Sequence, residues 1–136
     1  MSVGVLKDVA HIAVAVNSLT EVDKWEKLLC VEKTEEYESA EQGIRVRVVH
    51  TPSIKIEFME PMRDDSPISS FLKKNPFGGI HHLCFSCEDV KKTSTEFEAQ
   101  KVRSLSRNAS MGVEGRPIAF FHPHDLSGVL LEIEEK

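Results

Sequence analysis

The chain has 136 residues, of which 40% are hydrophobic and 29% charged, and its formal net charge is −5. These proportions are typical of one globular domain that is long enough to bury a single core. Acidic and basic residues are mixed along the chain without a basic stripe, which argues against nucleic acid as a partner. No apolar run approaches the ~20 residues that a bilayer span requires, so membrane attachment is not expected either.

The three cysteines, Cys30, Cys84 and Cys87, are an odd number without the density of a disulfide scaffold, which favours a reducing compartment. Cys84 and Cys87 have the spacing of half a zinc ribbon or of a redox pair. Positions three apart on a strand point to opposite faces, however, and the chain has no second such pair. We therefore interpret both residues as scaffold.

The first half predicts a strand, a helix, a polar loop and two further strands. Alternation of Ile and Val with other residues marks the strands, and an apolar stripe at helical spacing behind an Asn17 or Ser18 cap marks the helix. In chain order we expect a strand at 9–16, a helix to about Leu29, a loop at 35–43, and strands at 44–49 and 53–59.

A short helical linker follows at about residues 62–77. Ser66 provides a hydroxyl cap, Pro67 takes the first helical position, and Ile68, Phe71 and Leu72 form a short apolar stripe.

The second half repeats the first. The stretch from His82 aligns with that from His11, and residues 129–135, which contain Glu132, align with residues 54–60, which contain Glu57. Asp89 caps a second helix that runs to about Gln100 with Val90 and Phe97 facing inward, and a loop is expected at 104–115. The prediction is an α+β fold in one domain, with two tandem βαβββ repeats at about 6–61 and 78–136 forming a curved, cleft-bearing sheet.

The repeat places two histidines and two glutamates at matching positions: His11 and Glu57 in the first copy, His82 and Glu132 in the second. Their strand neighbours are bulky and apolar and must pack under the helices, so all four side chains should project to the opposite face. Two imidazoles and two carboxylates suit a six-coordinate divalent ion with two positions open for substrate. The alternative is half-buried strand histidines and solvated glutamates; His81, on the helix face, is interpreted as structural.

Several stretches resemble the vicinal oxygen chelate (glyoxalase) superfamily and, within it, the methylmalonyl-CoA epimerase family. They cover nearly the whole chain: AHIAVAV, AEQGIRV, IKIEFMEP, DDSPISSFLKKN, GGIHHLCF, GRPIAFFHP and GVLLEIEE. The resemblance implies a glyoxalase-like fold and metal-dependent epimerisation of (2R)- and (2S)-methylmalonyl-CoA in propionate metabolism. The implied ligands are His11, Glu57, His82 and Glu132, with Glu132 also acting as a base, and the implied ion is Co²⁺, with Mn²⁺, Ni²⁺ or Zn²⁺ as alternatives.

The same resemblance implies an acyl-CoA substrate, a homodimer, and a cytoplasmic location in a bacterium or the mitochondrial matrix for a trimmed eukaryotic chain. It also implies that the loop from Ser110 to Arg116 closes over the malonyl carboxylate; the alternative is a plain turn between strands. Lys55, Arg45 and Arg47 are either basic contacts for CoA or solvated strand residues. Two other functions fit the fold: a glyoxalase I-like isomerase on the same metal chemistry, and a non-catalytic module that sequesters ligands.

The chain departs from the bacterial epimerase pattern at one position. Val46 stands where many of those enzymes carry a glutamate, so the sequence leaves the second acid/base group open, with a metal-bound water and Glu57 as two hypotheses.

Overall fold

The computed structural model describes residues 4–105, 110–112 and 115–136. It divides into two compact units, one formed by residues 11–81 and the other by residues 82–136 with the N-terminal segment up to residue 10. Each unit contains one strand, helix, strand, strand, strand succession, so the predicted repeat is confirmed. Among the helices of the described part, none is long and apolar enough to cross a membrane.

The first unit is a four-stranded sheet with a helix on one face. Its strands are ordered β2-β3-β4-β1, with β1 parallel to β4 and the other neighbours antiparallel. The elements are β1 (Val9–Ala15), α1 (Val22–Leu28), β2 (Lys33–Ser39), β3 (Ile44–His50), β4 (Lys55–Pro61) and α2 (Pro67–Lys74).

The predicted cap of the first helix lies at Ser18. Its hydroxyl accepts a hydrogen bond from the Thr20 backbone N–H at 3.2 Å, and Glu21 completes a capping box. The first turn, Leu19–Glu21, is a 3₁₀ helix, and α1 proper begins at Val22. The core beneath it contains five buried apolar side chains, which are Val16, Leu19, Val22, Val49 and Phe58.

The prediction of a loop at 35–43 is wrong for residues 35–39, which belong to β2. This outer strand has no fully buried residue, so it lacks the apolar alternation that marks a strand in sequence. Ion pairs hold it instead: Arg45 contacts Glu38 at 3.1 Å and Arg47 contacts Glu36 at 3.0 Å. Hydrogen bonds from Lys33 and Tyr37 lower the pKa of Glu35 to about 2.

The second unit repeats the architecture with strand order β5-β8-β7-β6, in which β5 is parallel to β8. Its core is a cluster around Phe97 and Phe121, whose ring centroids are 4.4 Å apart. Asp89 caps its helix by accepting a hydrogen bond from the Lys92 N–H at 3.1 Å, as predicted. The elements are β5 (Gly79–Cys87), α3 (Val90–Ala99), β6 (Ser110–Met111), β7 (Pro117–Phe121) and β8 (Leu131–Glu135).

The loop predicted at 104–115 is wrong at two positions, because Ser110–Met111 forms β6 against β7. Two residues are too few to show the alternation from which a strand can be predicted. The remainder of that prediction includes residues 106–109, 113 and 114, which lie outside the described residues.

The helix predicted after Ser66 is confirmed as α2, with the Ser66 hydroxyl accepting the Ile68 N–H at 3.2 Å. The chain leaves this helix through Gly78, whose φ is +84°. A Cβ at this position would lie 2.4 Å from the backbone carbonyl oxygen of Ala15. Gly78 therefore fixes the approach of the chain to the end of β1.

Replacing Gly78 by alanine should destabilise the protein more than replacing Gly128, which has a similar φ of +81° but open space around its Cβ position. Both variants carry the ~1–2 kcal/mol cost of a left-handed conformation. Only Gly78→Ala adds the clash with backbone, which is worth roughly a further 1–3 kcal/mol. Urea unfolding of both variants measures the difference, and equal losses would show that the approach to Ala15 is not constrained.

Candidate active site

The first unit brings His11 on β1 next to Glu57 on β4. The parallel register sets Ala13 opposite Glu57, so His11 lies two residues away on the same face. His11 Nδ1 is 3.0 Å from Glu57 Oε2, and the two side chains are 3% and 6% exposed. The predicted alternative of a solvated glutamate is therefore wrong for Glu57.

The second unit repeats this arrangement on β5 and β8. The register sets Cys84 opposite Glu132, and His82 again precedes the paired residue by two positions. His82 Nε2 and Glu132 Oε1 form a hydrogen bond of 2.9 Å with both side chains buried. The His82 ring also packs edge-on against Phe120 at 5.3 Å, which fixes its orientation.

The neighbouring strands show that the two pairs occupy the same place in the repeat. Val48 on β3 lies opposite Glu57, and Phe120 on β7 lies opposite Glu132. The next residues along the chain, Phe58 and Ile133, are fully buried in their units. Alternation along the strand therefore turns both glutamates away from the helices, as the sequence predicted.

The chemistry of these pairs fits a divalent ion. Nitrogen and oxygen ligands bound at ~2.1 Å and at right angles around one ion are separated by about 3 Å. The separations of 3.0 and 2.9 Å within the two pairs match that value. A buried carboxylate is costly unless a positive charge or hydrogen bonds compensate it, and a divalent ion would supply that charge.

The remaining residues of the His82 stretch have different surroundings. His81 packs edge-on against Phe71 of α2 with centroids 5.1 Å apart, in agreement with its predicted structural role. Cys87 lies in the second core, where burial raises the pKa of its thiol. Cys84, interpreted from the sequence as scaffold, lies on the same face as His82 with its Sγ within 4.8 Å of a Glu132 carboxylate oxygen.

Two of the three basic residues considered for CoA contacts are held by carboxylates. Besides its ion pair with β2, Arg45 lies 2.9 Å from Glu60. Arg47, which also has a partner on β2, contacts Asp23 at 3.3 Å. Both guanidinium groups are therefore already paired with carboxylates of the first unit.

The loop predicted to close over a carboxylate, 110–116, is described in part, since residues 113 and 114 lie outside the described residues. At its base the Gly112 N–H donates to the Arg116 carbonyl oxygen at 2.9 Å. Arg116 Nη1 is 3.4 Å from the buried carboxylate of Glu134.

Comparison with known proteins identifies the family and supports the fold. Residues 10–120 match the family model of the glyoxalase/bleomycin resistance protein/dioxygenase superfamily. The mitochondrial methylmalonyl-CoA epimerase of Dictyostelium discoideum is 37% identical over 93% of this chain and 76% of its own length. The solved structure of methylmalonyl-CoA epimerase from Mycobacterium tuberculosis is 28% identical, with a TM-score of 0.90 over 99% of this chain and 91% of that one.

A second solved structure is a single-residue variant of the Streptomyces coelicolor methylmalonyl-CoA epimerase in complex with 2-nitronate-propionyl-CoA. It is 29% identical, with a TM-score of 0.82 over 96% of this chain and 95% of that one. The likeness in sequence and in structure extends over almost the entire length of the chain. The chain therefore belongs to the methylmalonyl-CoA epimerase family, within the glyoxalase/bleomycin resistance protein/dioxygenase superfamily.

Proposed function

We propose that this protein interconverts (2R)- and (2S)-methylmalonyl-CoA by removing and returning the proton between the thioester and the carboxylate. The observation that carries the proposal is the pair of buried histidine–glutamate contacts at equivalent positions of the repeat. Support also comes from the relatives, which are named for this reaction, and from the Streptomyces enzyme, which was solved with an acyl-CoA nitronate.

In this proposal one divalent ion takes its protein ligands from His11, Glu57, His82 and Glu132. Co²⁺ is the ion that the family resemblance implies, and Mn²⁺, Ni²⁺ and Zn²⁺ suit the same donor set. When bound, the ion would supply positive charge for the oxygens on which negative charge develops during proton removal. Two neutral imidazoles and two carboxylates leave the loaded site neutral overall.

Glu132 is the proposed acceptor of the α-proton. The electrons of the broken C–H bond pass into the adjacent carbonyl system, and the proton moves to a carboxylate oxygen. The Glu132 carboxylate lies 2.9 Å from His82 Nε2, and its burial excludes water that would compete for the proton.

Inversion needs a second group that gives a proton to the opposite face of the planar intermediate. Val46 is fully buried and apolar, so the position that carries glutamate in many bacterial epimerases has no exchangeable proton here. Glu57 repeats the register, the burial and the histidine contact of Glu132. We therefore assign Glu57 as the second acid/base.

Removing one carboxylate should distinguish the site from its surroundings. Glu132→Gln should weaken Co²⁺ binding at least ~10-fold, because an amide is a weaker metal ligand than a carboxylate. Glu134→Gln should leave the Co²⁺ affinity within about twofold, because Glu134 is not a proposed ligand. Glu134 is the matched control: it is buried on the same face of β8, and Arg116 is its partner. Calorimetric titration of the metal-free protein measures both affinities, and equal losses would remove Glu132 from the ligand set.

Solvent exchange of the α-proton should separate the two bases. With metal at saturation, Glu132→Gln should exchange the proton of one epimer at least ~10²-fold more slowly in D₂O, and Glu57→Gln should slow the exchange of the other. Mass spectrometry of each epimer measures the rates, and EDTA should abolish exchange in the unmodified protein. If Glu132→Gln exchanged the α-proton of both epimers at the rate of the unmodified protein, Glu132 would not be a base. If only Glu57→Gln did so, Glu57 would not be the second acid/base, and the role of Glu132 would stand.

A further inference from the structure

A thiol lies on the face of β5 that carries His82. Cys84 follows His82 by two residues, so both side chains project to the same side of the strand. It is fully buried, pairs with Glu132 in the β5/β8 register, and has its Sγ within 4.8 Å of a Glu132 carboxylate oxygen. This unit thus places a buried sulfur donor near the carboxylate that His82 contacts.

The first unit has no counterpart to this sulfur. Its matching position is Ala13, which lies opposite Glu57 as Cys84 lies opposite Glu132. Ala13 is fully buried as well, so an alanine fits this place in the repeat. The sulfur is therefore an addition to the second unit that its architecture does not require.

The separation of the donor atoms is compatible with a shared ion. Ligands bound at ~2.3 Å through sulfur and ~2.1 Å through oxygen are about 3 Å apart when adjacent on an ion and about 4.4 Å apart when opposite. The Cys84 sulfur and a Glu132 carboxylate oxygen lie within 4.8 Å of each other, an upper limit only a few tenths of an ångström above that larger value.

We propose that Cys84 is a further metal ligand, which binds beside Glu132 when the bound ion is thiophilic and stays a neutral thiol beside a harder ion. The proposal rests on the metal site of the proposed function. Soft sulfur ligands favour ions such as Cd²⁺ and Zn²⁺, whereas Mn²⁺ favours carboxylate and water. Coordination breaks the S–H bond, forms a metal–sulfur bond and releases one proton to the buffer, with no change of oxidation state.

The consequence concerns the choice of ion. A sulfur ligand fills a coordination position that a chelating substrate would otherwise take. Thiophilic ions are therefore expected to bind this protein tightly and to support its reaction poorly, and Cys84 sets that discrimination.

The test titrates the metal-free protein separately with Cd²⁺ and Mn²⁺. With Cd²⁺, the unmodified protein should show the near-ultraviolet absorption of a cadmium–thiolate bond, and Cys84→Ala should not. Its Cd²⁺ dissociation constant should rise at least ~10-fold while the constant for Mn²⁺ changes by less than about twofold, since only the soft ion uses the sulfur. Cys84→Ser, which keeps the side-chain size, should behave in the same way.

The exposed thiol of Cys30 provides the matched control, because Cys30→Ala should keep both the absorption and the Cd²⁺ affinity. Absorption that persists in Cys84→Ala and disappears in Cys30→Ala would overturn the inference. Binding of both ions without any thiolate absorption would overturn it too and leave the proposed function intact. If the unmodified protein bound neither Cd²⁺ nor Mn²⁺, both the proposed metal site and the role of Cys84 in it would be wrong.

Discussion

The register of two parallel strand pairs is the constraint on which the rest of the structure depends. In β1/β4 and in β5/β8 the glutamate lies opposite the second residue after the histidine. This diagonal is short enough for imidazole and carboxylate to meet at 3.0 and 2.9 Å. A slip of one residue in either pair would turn the glutamate under a helix and bring Phe58 or Ile133 to the site.

Burying the two carboxylates opposes folding, and the burial of apolar side chains in the two cores offsets this free-energy cost. Two carboxylates with side chains only 6–7% exposed oppose folding unless they are compensated. Each unit offsets that cost by burying large apolar side chains on the other face of the same strands, with Phe58 against α1 and Phe121 against Phe97. The apolar face fixes the strands, and the strands in turn place the histidine and the glutamate.

Most of the strands and helix caps could be predicted from the sequence, because strands with one buried face show apolar residues at every second position. The strands around His11 and His82 alternate, the caps at Ser18, Ser66 and Asp89 are local, and the repeat confirms each by its copy. The strand β2 could not be predicted, since it lacks apolar alternation and its exposed glutamates, Glu36 and Glu38, are paired with Arg47 and Arg45. For Cys84, the Cys-x-x-Cys spacing suggests a pair, whereas strand parity puts its two members on different faces and Cys84 on that of His82.

The central claim is that the two histidine–glutamate pairs hold a single ion. Diffraction from crystals grown with Co²⁺, recorded at the cobalt absorption edge, tests it most directly. We expect one anomalous peak per chain, from an ion bound by an imidazole nitrogen of His11 and of His82 and by carboxylate oxygens of Glu57 and Glu132. Separate peaks on the two pairs, or a peak bound by neither, would contradict it.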